Sequence, residues 1–197
     1  MKKHCIIIIA VLIGIGCSNS TEKSGNSKEL NTAKTDSFFP VTSFIKGQMI
    51  ILDSLPITPL LITAVKEKAD SVWLQKSQLR QQLQPFLTPE INETNFTTYF
   101  KETKFNDQTL NAITFTYDPI TVLPASIPIR HWDVYIDPQT GDVVKVYIVK
   151  SVKEGDQSTT EQLTWQAGKF AKISSFLNKP DGTMELLKDK MFKWDFR

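Results

Sequence analysis

Cysteine and histidine are nearly absent: the 197 residues hold two of each. Cys5 and Cys17 both fall within the first seventeen positions, so the rest of the chain has no thiol, no disulfide and no cysteine-based metal site. His4 falls there too, which leaves His131 alone. A lone histidine excludes histidine-cluster zinc sites and the paired-histidine motif of metallopeptidases. Arginine is scarce as well, with only Arg80, Arg130 and Arg197, which argues against phosphate recognition by planar guanidinium forks. An excess of one charge is also missing. If residues 1–16 are removed, Lys2 and Lys3 go with them and no acidic residue does, leaving 21 basic against 21 acidic side chains. Such a chain has no electrostatic footprint for nucleic acid and no basic block for anionic lipid. Neither a Gly-x-Ser-x-Gly elbow nor a calcium loop of alternating aspartates occurs. No cofactor or metal is expected, and burial has to stabilise the fold.

Met1-Lys2-Lys3 opens the chain, and an apolar run of about eleven residues follows over positions 5–15. A bilayer core needs roughly twenty. A positive start, a short apolar core and small residues at its end read as a removed export signal. The segment Ile13-Gly14-Ile15-Gly16-Cys17 resembles the lipobox of bacterial lipoproteins, with Gly14 standing where that family usually has leucine. The resemblance implies a cut after Gly16 and lipid, including palmitate, on Cys17 as the new N-terminus. Ser18 after the cysteine, with no acidic run, is similar to the pattern of outer-membrane lipoproteins that face the periplasm. Residues 18–36 are polar apart from Leu30 and Ala33 and read as a tether too apolar-poor to order itself. Its typical reach is roughly 25 Å, and about 65 Å when stretched. Residues 37–197 then form a single domain, large enough for one core.

The expected architecture of that domain is α+β: an antiparallel meander of about five or six strands, curved, with two or three helices on one face. Ser37 is expected to cap a helix with Pro40 in its first turn. Val41, Phe44, Ile45, Met49 and Leu52 recur at helical spacing, with Gly47 as a soft spot. Residues 60–65 and 71–74 suit two short strands or one long one. Ser77 is expected to cap a second helix bearing Leu79, Leu83, Phe86 and Leu87, and Phe96, Tyr99 and Phe100 suit a short third. From residue 109 onward, alternating stretches at 109–118, 132–136, 143–149, 159–165, 169–177 and 183–187 are separated by turns. Phe192, Trp194 and Phe196 close the chain.

The most suggestive chemistry lies in Arg130-His131-Trp132-Asp133-Val134-Tyr135. On a strand, His131, Asp133 and Tyr135 share one face while Trp132 and Val134 share the other. Two readings follow for the polar side: a ligand face or acid/base pair, and the solvent face of an amphipathic strand. Glu90, Glu93, Asp118 and Asp133 are carboxylates that a glycosidase would need to pair in space. No nucleophile is placed by local sequence, so no catalytic residue is assigned. Asp137-Pro138-Gln139-Thr140-Gly141 between two strands resembles the hairpin of PepSY-type domains over residues 132–150. The stiff apolar loop at 119–128, with Ile120 and Leu123, suits a lid, a partner-docking edge or a packed crossover. Together these features favour a membrane-anchored envelope lipoprotein with a non-enzymatic binding or structural domain. The alternatives are a carrier of lipid or another apolar ligand in a half-barrel cavity, and a hydrolase using His131.

Overall fold

The structure, a computed structural model, describes residues 37–155 and 157–195. Cys17, Gly16, the expected signal and tether, and the closing Phe196 lie outside the described residues.

Among the described residues the fold is α+β, with one antiparallel sheet of nine strands. In chain order the elements are α1 (Val41–Ser54), β1 (Leu60–Val65), β2 (Lys68–Trp73), α2 (Lys76–Gln82), a 3-10 turn (Gln84–Phe86), β3 (Phe100–Asp107), β4 (Ala112–Pro119), β5 (Ile129–Ile136), β6 (Val143–Glu154), β7 (Gln157–Gln166), β8 (Phe170–Asn178) and β9 (Met184–Lys193). The spatial order is β2-β1-β9-β8-β7-β6-β5-β4-β3. From β3 to β9 the chain is an uninterrupted meander. The β1–β2 hairpin joins it at the far side, with Leu61 paired to Phe192.

Nine strands replace the expected five or six, for identifiable reasons. Residues 60–65 and 68–73 form two strands joined at Lys66, whose φ of 53° is a turn conformation. The expected third helix does not form: Phe96 has a φ of 70°, and Phe100 opens β3 instead. That strand pairs residue by residue with β4. Six of its eight residues are exposed, so it lacks the apolar alternation that makes a strand legible. The two closing segments, at 183–187 and around Phe192, belong to a single strand, β9.

The helix starts also differ from expectation. Pro40, not Ser37, borders α1, with no side-chain cap. The Phe38 N–H instead donates to the Glu93 carbonyl at 3.0 Å. In the first turn, Thr42 exchanges two bonds with Ile91, donating its N–H to the carbonyl (3.0 Å) and accepting the Ile91 N–H on its hydroxyl (2.8 Å). Ser77 sits inside α2, whose start is held by Gln75 N–H donating to Gln78 Oε1 at 2.8 Å.

One core joins these parts. Val41, Ile45, Met49 and Leu52 form the buried stripe of α1, and Leu79, Leu83 and Phe86 that of α2 and its 3-10 turn. They meet Trp132, Val134, Val146, Ile148, Leu163, Trp165, Ile173 and Phe192 from one face of the sheet. Aromatic rings fill it. Trp132 stacks on Tyr117 with centroids 4.6 Å apart and meets Phe100 at 4.7 Å. Trp165 contacts Phe86 at 5.5 Å and Trp194 at 5.2 Å. Trp73, on the edge strand β2, is the exposed tryptophan of the four. Among the described residues, no helix is long and apolar enough to cross a membrane.

Candidate functional site

The register of β4 against β5 pairs Tyr117 with Trp132 and Thr116 with Asp133. Because side chains alternate along a strand, Tyr117 and Trp132 enter the core while Thr116, Asp118, His131, Asp133 and Tyr135 share the opposite, outward face. Register with β6 brings Tyr147 beside Asp133 and Lys145 beside Tyr135. The sequence-expected trio of His131, Asp133 and Tyr135 is therefore assembled on one face. Thr116, Tyr147 and Lys145 join it, and no local pattern identified them.

His131 is held from both sides. Its Nδ1 lies 2.8 Å from Asp118 Oδ1, and its Nε2 lies 2.9 Å from Asp133 Oδ2. Asp133, only 8% exposed, also accepts from the Thr116 hydroxyl at 2.6 Å and the Tyr135 hydroxyl at 3.3 Å. The Lys145 ammonium sits 3.7 Å from the centre of the Tyr135 ring, a cation–π distance.

These contacts set the protonation states. The hydrogen bond to Asp133 raises His131 to about 9; burial opposes the rise, and Asp118 adds to it. Burial alone would push the Asp133 carboxyl up, but the bonds from His131 and Thr116 outweigh it and hold the group below the ordinary aspartate range. Burial, with Asp133 nearby, pushes Tyr135 up to about 12. At neutral pH His131 is an imidazolium held between Asp118 and the ionised Asp133, beside the neutral Tyr135 and Tyr147.

The arrangement commits both ring nitrogens of His131 to charge pairing. A general base needs a free nitrogen lone pair within reach of substrate; both His131 nitrogens face carboxylates instead. A glycosidase acid needs a raised carboxyl pKa, and that of Asp133 is lowered. Asp118 and Asp133 do come together, but across the imidazole ring, while Glu90 lies elsewhere and pairs with Lys46 at 3.8 Å. Among the described residues, no group of three or more metal-ligating side chains is arranged to hold an ion.

The other sequence candidates separate. Ile120 is 56% exposed in the β4–β5 loop, and its N–H donates to the Tyr99 carbonyl at 2.9 Å. Leu123, three residues on, packs against the core. The PepSY-like turn is satisfied from within. Asp137 Oδ1 accepts the N–H groups of Gln139 (2.7 Å) and Thr140 (3.2 Å), and Gly141 supplies a φ of 77°. Ordinary turn chemistry therefore accounts for those residues. Comparison with protein-family models, with curated proteins and with solved structures finds no match for this chain.

Proposed function

We propose that this chain is an envelope lipoprotein, anchored through lipid on Cys17 and facing the periplasm from the outer membrane, whose folded domain is a non-enzymatic binding module. The observation that carries the non-enzymatic part is His131, with both ring nitrogens committed to carboxylates. The only histidine outside the first seventeen residues is thereby diverted from acid/base work. The binding face we assign is the outward side of β4–β8, where Thr116, Tyr135, Tyr147, Lys145 and Thr164 offer hydroxyls, rings and charge to a polar envelope partner. A lipid-carrying cavity is a weaker reading, because Trp132, Trp165, Tyr117 and Phe100 occupy the inward face with ring-to-ring packing.

Two experiments test this. Metabolic labelling with an alkyne palmitate is expected to tag the wild-type chain and not Cys17→Ser, which should leave the membrane fraction. An unlabelled wild-type chain would refute the anchor. A photo-crosslinker at Tyr147 or Thr164 is expected to capture an envelope component that one at Lys46, on α1, does not. Equal capture from both positions would remove the assigned face, and lipid co-purifying in native mass spectrometry would favour the carrier.

A further inference from the structure

A second polar constellation lies on the core side of the sheet. Register places Lys150 of β6, Glu161 of β7, Ser175 of β8 and Lys188 of β9 on one rung. The neighbouring rung runs Ile148, Leu163, Ile173 and Lys190. The apolar face thus ends in a row of polar groups, and α2 with its 3-10 turn overhangs that row. Between them is a cleft of ≈ 330 Å³, lined by Gln81, Gln82 and Pro85 above and by Glu161, Ser175, Lys188 and Lys190 on the sheet. That volume is at the small end of ligand pockets, the size of a monosaccharide.

The charges in the cleft are specific. Lys150 is occupied, since its ammonium donates to the carbonyls of Pro85 and Thr88 and holds the overhang in place. Lys190 Nζ donates to Gln82 Oε1 at 2.8 Å, which leaves further N–H donors. Burial, with Lys188 adjacent, lowers Lys190, while Glu161 opposes that shift. Lys188, Lys190 and Glu161 line the cleft, and Lys150 adds a third ammonium beside Glu161 on the same rung. Positive charge is therefore in surplus, which favours an anionic ligand. Phosphate is disfavoured by the lack of a guanidinium fork. Glu161 instead accepts from hydroxyls, and Ser175 and the two glutamines offer donors and acceptors beside it.

We infer that this cleft binds a singly charged hydroxy acid of monosaccharide size, a uronic acid being the simplest case, with its carboxylate on Lys188 and Lys190 and its hydroxyls toward Glu161 and Ser175. The ligand is either the free acid or an acidic residue within a polysaccharide, since the cleft opens to solvent. The cleft faces away from the outward binding surface proposed above, so failure at one site leaves the other standing.

NMR titration of the full chain in mild detergent tests the assignment. D-glucuronate, or a galacturonate oligomer if the polymer is the source, is expected to shift resonances of Ser175, Lys188 and Lys190. The double variant Lys188→Gln/Lys190→Gln, both conservative changes at the cleft rim, is expected to weaken binding about tenfold or more. Glu161→Gln is expected to weaken glucuronate binding and strengthen inorganic phosphate binding. No shift with either acid up to its solubility would overturn the inference. So would equal binding of neutral glucose, stronger binding of phosphate to the wild type, or indifference to the double variant.

Discussion

His131 Nε2 lies 2.9 Å from Asp133 Oδ2, and the same ring reaches Asp118 through Nδ1 at 2.8 Å. One imidazolium thereby ties the end of β4 to the middle of β5. His131 is expected to remain charged until about pH 9, measurable from its ring resonances in an NMR titration; a midpoint near the ordinary value of 6.5 would contradict the geometry. A raised histidine contributes stability that is fully present below its unfolded pKa and is lost as pH rises through its folded value. Chemical denaturation should therefore show stability falling between about pH 6.5 and 9. Removing the ring leaves two carboxylates unpaired, so His131→Ala should cost about 1–3 kcal/mol at neutral pH, allowing for partial solvent screening. Asp133 acts in the opposite direction: its contribution is present above the ordinary aspartate range and disappears as pH falls through its lowered value.

Lys150 should offset part of the alkaline loss. Burial lowers it to about 8, with Glu161 opposing, so between there and its ordinary value of 10.5 the unfolded chain binds more protons than the folded one. Stability rises with pH across that interval. Lys150→Met removes this rise, and its denaturation profile should decline more steeply above pH 8 than that of the wild type. Parallel profiles would show that Lys150 does not titrate as stated.

Tyr117 joins the segment before α1 to the sheet. Its hydroxyl donates to Glu102 Oε2 at 2.7 Å and accepts the Phe39 N–H at 3.2 Å. Burial, reinforced by Glu102, raises its pKa well above the ordinary tyrosine value. Tyr117→Phe keeps the stack on Trp132 but strands the Phe39 donor, so a loss of about 1–2 kcal/mol is expected in urea denaturation. Far-UV circular dichroism should remain unchanged, because the ring still packs on Trp132, while the near-UV spectrum loses the tyrosine contribution.

Gly47 lies inside α1 with nothing within 4 Å of where a Cβ would stand. Glycine in a helix interior costs about 0.5–1 kcal/mol relative to alanine. Gly47→Ala should raise stability by that amount; a lower melting temperature would mean that α1 packs differently.

Sequence and structure agree where the signal is local. The stripe of α1 shows at residues 41, 45, 49 and 52, and all four are buried. The split of β5 into a core face with Trp132 and a polar face with His131 follows from the two-residue period of a strand. Disagreement comes where local pattern is weak. β3 carries charge on both faces because it is an exposed edge, and β2 is exposed at all six positions, so neither shows alternation. The start of α1 lies beyond Ser37 because groups distant in sequence take the N–H groups there: Glu93 that of Phe38, the Tyr117 hydroxyl that of Phe39 and Ile91 that of Thr42.

Residue order alone determined the shortage of thiols and histidines, the amphipathic first helix and the turns of the meander, because each depends on composition or on neighbours a few positions apart. Tertiary structure decided which groups come together: Asp118 with His131 across a loop, Glu161 and Lys188 on either side of Ser175 in one rung, and β1 against β9 from opposite ends of the domain. Those meetings are set by strand register, and register follows from how apolar faces close over one shared core.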